Sequence, residues 1–109
     1  MSDDFYADPV GHCIKALASC DDDVRFNAAD ILRGLGKEAA PALLALCHHM
    51  LADTDSEVRC QCAFALSELC EQLGAQADAA EPYLQAAQRS DNDEIREFAL
   101  HALKYISSL

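Results

Sequence analysis

The chain has 109 residues, with 19 acidic against 8 basic side chains and a formal charge of −11. That balance opposes nucleic-acid binding, which needs a basic face, and opposes docking on anionic membranes. Apolar residues make up 51%, yet there are four Phe, three Tyr and no Trp, so any core must come mainly from small aliphatic side chains, in a single domain spanning 1–109.

The opening stretch, MSDDFYADP, is acidic and has no apolar segment, so it does not read as a signal peptide. Six cysteines without such a signal point to a reducing compartment, and the cytoplasm is the expected location. No run reads as a β-strand, and none approaches the length of a membrane span.

Pro9 opens the first predicted helix, which carries Val10, Cys13, Ile14 and Leu17 at three- and four-residue spacing. Asp21 caps a second helix that runs to Leu35 and stops at Gly36, with Asp22 and Asp23 complementing the helix dipole. Pro41 opens a third, bearing Leu43, Leu44, Leu46, Cys47, Met50 and Leu51. Asp55 caps a fourth, about one turn longer than the second, reaching Leu73 before Gly74. The stretch AQADAAE reads as the longest loop. Pro82 begins a short fifth helix, and Asn92 caps the last, with Asp93 and Glu94 in its first turn.

The second, fourth and sixth helices echo one another. Val24, Val58 and Ile95 recur 34 and then 37 residues apart, each followed by an arginine: Arg25, Arg59 and Arg96. Small residues stand at the fourth position after them (Ala28, Cys62, Ala99), leucines at the eighth (Leu32, Leu66, Leu103), and Leu35, Leu69 and Ile106 at the eleventh. Self-similarity at this period marks a repeat architecture. The prediction is all-α: six helices in about three antiparallel pairs stacked side by side, with repeats near 8–36, 38–74 and 78–109.

The D-x-x-V-R-x-x-A-A-x-x-L-x-x-L pattern alternating with a proline-led helix resembles HEAT repeats, and most closely the short HEAT-like type of phycobilin lyase subunits. The resemblance implies an α-solenoid with a right-handed superhelical sense that serves as a scaffold for protein contacts. It also implies that Arg25, Arg59 and Arg96 form a ladder with acidic residues at the turns. Asp21, Asp55 and Asp91 or Asp93 are the expected partners. Two catalytic relatives do not fit. HEAT-like DNA glycosylases need a basic groove, and outside the ladder only Lys15, Arg33, Lys37, Arg89 and Lys104 remain. Iron-holding HEAT-like enzymes use His-Glu dipeptides, which this chain lacks.

In such stacks the second helix of each pair lines the concave side. At about 100° per residue, the positions two, six and nine after the aligned Val or Ile face away from the core. They hold Phe26, Asp30 and Arg33; Cys60, Phe64 and Ser67; and Glu97, His101 and Lys104, with Phe98 and Tyr105 on one flank. One reading is a shallow aromatic groove with acidic flanks from Asp30, Glu68 and Glu97 that grips a basic or amphipathic peptide. The other is that neighbouring helices shield these rings as the periphery of the core. The last helix also carries Leu100 where the other units have Ala29 and Ala63, and ends with Tyr105, Ile106 and Leu109. Either this apolar end supports a homodimer through the terminal repeat, or Leu100 folds inward.

Chemistry finds no foothold in the pattern. Cys60, Cys62 and Cys70, and Cys47-His48-His49, have metal-ligand residue types, but neighbours at these spacings diverge around a helix and no C-x-x-C occurs. There is no G-x-S-x-G, phosphate loop or dinucleotide fingerprint. The expectation is a non-catalytic interaction module or small scaffold, without metal or cofactor, binding a protein or peptide partner. The alternative is an accessory subunit of an enzyme complex such as a lyase.

Overall fold

A computed structural model describes residues 8–106. The expectations for the opening stretch and for Leu109 concern residues outside that range. Within it the α-helices are α1 (Pro9–Leu17), α2 (Asp22–Gly34), α3 (Leu43–Ala52), α4 (Ser56–Leu73), α5 (Glu81–Ala87) and α6 (Asp93–Ile106). Two 3₁₀ segments, Gly36–Ala42 and Gly74–Ala80, precede α3 and α5. No strand occurs among the described residues.

Local chemistry sets the helix starts. Asp8 accepts from the Gly11 N–H at 3.0 Å, with Pro9 at the first helical position. Asp21 accepts from the Asp23 N–H at 2.9 Å and Asp55 from the Glu57 N–H at 2.9 Å. Asn92 accepts from the Glu94 and Ile95 N–H groups at 2.8 and 3.1 Å. Each cap satisfies donors that the first helical turn cannot.

Two boundaries differ from the expectation. Pro41 does not open α3; it lies inside the first 3₁₀ segment, and α3 starts at Leu43. AQADAAE is no loop either, because most of it forms the second 3₁₀ segment. The reason is a three-residue spacing of small side chains. Ala39 and Ala42 are buried in one segment, and Ala77 and Ala80 in the other. In a 3₁₀ helix residues i and i+3 eclipse, so Ala39 and Ala42 share one narrow edge, while Ala77 (φ −96°, ψ 15°) kinks the second segment and Ala80 follows it into the core.

Gly36 and Gly74 turn the chain into these segments with φ of 65° and 57°. At Gly74 ψ is −130°, a region open essentially only to glycine. An added Cβ there would meet nothing closer than the Tyr105 carbonyl oxygen at 3.9 Å. Gly74→Ala is therefore expected to destabilise through the backbone alone, by about 1–3 kcal/mol in urea denaturation.

The helices form two layers, α1, α3 and α5 in one and α2, α4 and α6 in the other. Each second helix packs on its own first helix and on the second helices beside it, and α4–α6 is the most extensive contact. The stack measures 43 × 29 × 17 Å, and its short dimension fits two helix layers.

Equivalent positions differ by their place in the stack. Val58 and Ile95 are 0% and 1% exposed, whereas Val24 is 39% exposed. Ala65 and Ala102 are buried, but Ile31 at the same position is exposed. At the other end Leu100 is 52% exposed, while Ala29 and Ala63 are buried. These positions face the neighbouring repeat, and among the described residues each end repeat has a neighbouring repeat on one side only. Leu100 therefore stays on the end surface rather than folding inward. No described helix is long and apolar enough to cross a membrane.

Candidate functional site on the second helices

Three helices each contribute one group to a row across the α2–α4–α6 face. Phe64 of α4 stacks on Phe98 of α6, with centroids 5.0 Å apart and planes 19° apart. Arg33 of α2 lies over the other side, its Cζ 4.4 Å from the Phe64 centroid. Both rings are half-buried, and Phe98 packs against the core. Arg33 is therefore not a free cation. It pairs with Asp30 at 2.6 Å, one turn away, and reaches Glu68 on α4 at 3.8 Å. Gln61 Nε2 donates to Asp30 at 3.0 Å, which ties α4 to α2. The Arg33 Nε is buried without a hydrogen-bond partner.

The remaining expected residues surround this row. Phe26 and Cys60, both half-buried, line a hollow of about 290 Å³ with Gln61 and Glu94. The Cys60 thiol donates to Glu94 Oε1 at 3.2 Å, and burial followed by that carboxylate pushes it up to about 11. His101 Nε2 lies 3.6 Å from Glu71 Oε1, and its ring meets Tyr105 edge-on at 5.1 Å. Glu97 is exposed. Ser67 does not face outward as its spacing suggests. It is 3% exposed and donates to the Phe64 carbonyl at 2.7 Å. The flanking second helices and their 3₁₀ segments enclose α4 from more sides than an outer helix, so its exposed strip is narrower.

The arginine ladder has a different partner from the expected one. Arg25 does not pair with Asp21. Its Nε and Nη2 each donate at 2.9 Å to the two carboxylate oxygens of Asp53, in the next repeat. Asp21 and Asp55 are occupied as helix caps instead. The pair is enclosed, with side-chain exposures of 10% for Arg25 and 2% for Asp53. Asp53 also accepts from the Asp55 N–H at 2.9 Å, and His49 Nδ1 lies 2.7 Å from its Oδ2. Burial alone would push the Asp53 carboxyl up; the bonds from Arg25, Asp55 and His49 outweigh it and hold the group at about 2. The bond to Asp53, opposed by burial, raises the Arg25 guanidinium.

Arg59 forms no pair with Asp55. Its Nη1 donates to the Asp53 carbonyl at 2.7 Å. Arg25 and Arg96 make the same bond, to the Ser19 and Ser90 carbonyls at 2.9 and 2.6 Å. Arg96 also pairs with Asp93, as expected, within its own repeat. Asp91 is exposed and takes no rung. Of the three ladder arginines, only Arg25 thus joins one repeat to the next through a carboxylate among the described residues.

Among the described residues no thiol belongs to a group of three or more side chains at metal-ligand distances. Cys13, Cys47, Cys62 and Cys70 are buried, and burial pushes Cys47, Cys62 and Cys70 up to about 12. These sulfurs behave as small apolar side chains. Asp21, Asp22 and Asp23 place carboxylate oxygens within 4.8 Å of one another, but all three are exposed and belong to the capped start of α2.

No curated protein matches the chain. The family model described as HEAT repeats matches residues 12–104. HEAT repeats commonly act as protein-interaction scaffolds, and the family is generally non-catalytic. The match spans all six described helices except the start of α1 and the end of α6, so this chain belongs to the HEAT repeat family.

Proposed function

We propose that the protein is a non-catalytic interaction module that holds a basic, amphipathic segment of a partner protein across α2, α4 and α6. The observation that carries this reading is the Arg33–Phe64–Phe98 row, bordered by Asp30, Glu68, Glu71 and Glu97. A half-buried aromatic pair gives a partner's apolar side chains a rigid platform at little entropic cost. The carboxylates select cationic flanks, and the chain's charge of −11 steers them in over longer distances.

The test is fluorescence anisotropy with a labelled Lys/Leu amphipathic helical peptide and its Glu/Leu counterpart. The basic peptide is expected to bind, more weakly as salt rises, and the acidic one not to bind. Phe64→Asp should abolish binding while the helical fold persists, at a cost of about 1–2 kcal/mol for the lost ring stacking and cation–π contact. Equal binding of both peptides, or undiminished binding by Phe64→Asp, would refute this reading.

A further inference from the structure

Ser19, Asp53 and Ser90 are one structural position repeated three times. Each side-chain oxygen accepts from the N–H two residues on, at 3.1 Å for Asp21, 2.9 Å for Asp55 and 3.1 Å for Asn92. Each backbone carbonyl at this position accepts from the arginine six residues ahead. The carboxylate that Asp53 presents to Arg25 therefore has a counterpart for Arg59, and that counterpart is Ser90. A serine hydroxyl already engaged by the Asn92 N–H cannot replace a two-pronged carboxylate. His49, which supports Asp53, has Ala86 as its counterpart in the third repeat.

The place of the missing carboxylate is a hollow of about 200 Å³ between the second and third repeats. Its polar lining is Arg59, Arg89 and Ser90, with Met50, Leu51 and Ile95 among its apolar walls. No acidic residue lines it, although the chain carries 19 acidic side chains. The corresponding hollow beside the first rung is lined by both Arg25 and Asp53. Arg89 stands where the second repeat has Ala52, so the third repeat replaces a carboxylate by serine and adds a cation beside it. Among the described residues neither Arg59 nor Arg89 has an ion-pair partner.

We propose that the Arg59–Arg89 hollow is a carboxylate-binding site that takes an Asp or Glu side chain of a partner protein in the place Asp53 fills for Arg25. A guanidinium held through one nitrogen by a backbone carbonyl keeps its other edge for bidentate recognition of a planar carboxylate. The neighbouring Arg89 supplies the second charge. This site is separate from the aromatic row and stands whether or not that row binds a peptide.

The test is an acetate titration at constant ionic strength, with chloride as the balancing anion, followed through the arginine Nε–Hε signals of ¹⁵N-labelled protein. Arg59→Lys and Arg89→Lys assign the signals. Arg59 and Arg89 are expected to shift saturably, while Arg25, already paired, stays still. Ser90→Asp should move the Arg59 signal towards the position of Arg25, raise Tm and reduce the acetate response at least fivefold. An Arg59 signal that acetate does not move, or that responds equally in Ser90→Asp, would overturn the site. Should Ser90→Asp fail to fold, the parent titration and a weakened Arg59 response in Arg89→Gln, which removes the second charge, decide it alone.

Discussion

Asp53→Ala is expected to cost about 3–5 kcal/mol of folding stability, because it leaves the Arg25 guanidinium enclosed without its counter-charge. The two donors at 2.9 Å would lose both acceptors, and the Asp55 N–H and His49 would lose theirs. Against a total of about 5–15 kcal/mol for a domain of this size, that approaches the stability limit. Urea denaturation of Asp53→Ala, Arg25→Met and the double variant Arg25→Met/Asp53→Leu separates the causes. The double variant should be more stable than Asp53→Ala, since it removes both charges rather than stranding one. Acid should act in the same direction. Asp53 is held at about 2, below its ordinary 3.8. Its contribution is therefore fully present above about pH 4 and is lost as pH falls from there through the folded value, with a magnitude of about 2 kcal/mol. Asp53→Asn should remove this part of the acid dependence.

Leu66→Ala is the second large effect, at about 3–5 kcal/mol. Leu32, Leu66 and Leu103 hold the same place in the three repeats but not the same surroundings. Leu66 is 0% and Leu32 1% exposed, whereas Leu103 is only partly buried. Leu66 lies on the one second helix with a second helix on either side. A cavity there has packed walls on both flanks and little freedom to collapse. Leu103→Ala should cost less, about 1–2 kcal/mol, because the last repeat can relax towards its open end. The expected order of loss is Leu66, then Leu32, then Leu103, read from thermal or urea unfolding. Equal losses at all three would show that the repeats are not stacked with exposed ends.

The parts of this fold legible in the sequence are those governed by neighbours along the chain. Asp21, Asp55 and Asn92 read as caps because capping joins residues two or three apart. Val58, Leu66 and Ile95 read as core because their spacing follows the helical period. The Arg25–Asp53 rung is not legible from neighbouring residues because its members are 28 residues apart. A signal did exist: Ser19, Asp53 and Ser90 align two residues before the caps, and only one of them carries a charge. At the candidate site, helical geometry placed Phe64 and Phe98 near the surface. Their mutual stacking, and the role of Arg33 above Phe64, depend on how far adjacent helices are offset, which no single-helix projection contains. Ser67 failed for the same reason, because the width of the exposed strip on α4 is set by its two neighbours.

Amide hydrogen exchange of the intact protein under native conditions tests most directly whether the repeats form one stack closed at the centre and open at both ends. The amides in the middle of α4 should exchange only through global unfolding, with protection matching the stability from urea denaturation, while those of α1 and of the last turns of α6 exchange faster. If α4 instead exchanges as fast as α1, or if each helix pair exchanges with its own separate stability, the cooperative stack is contradicted.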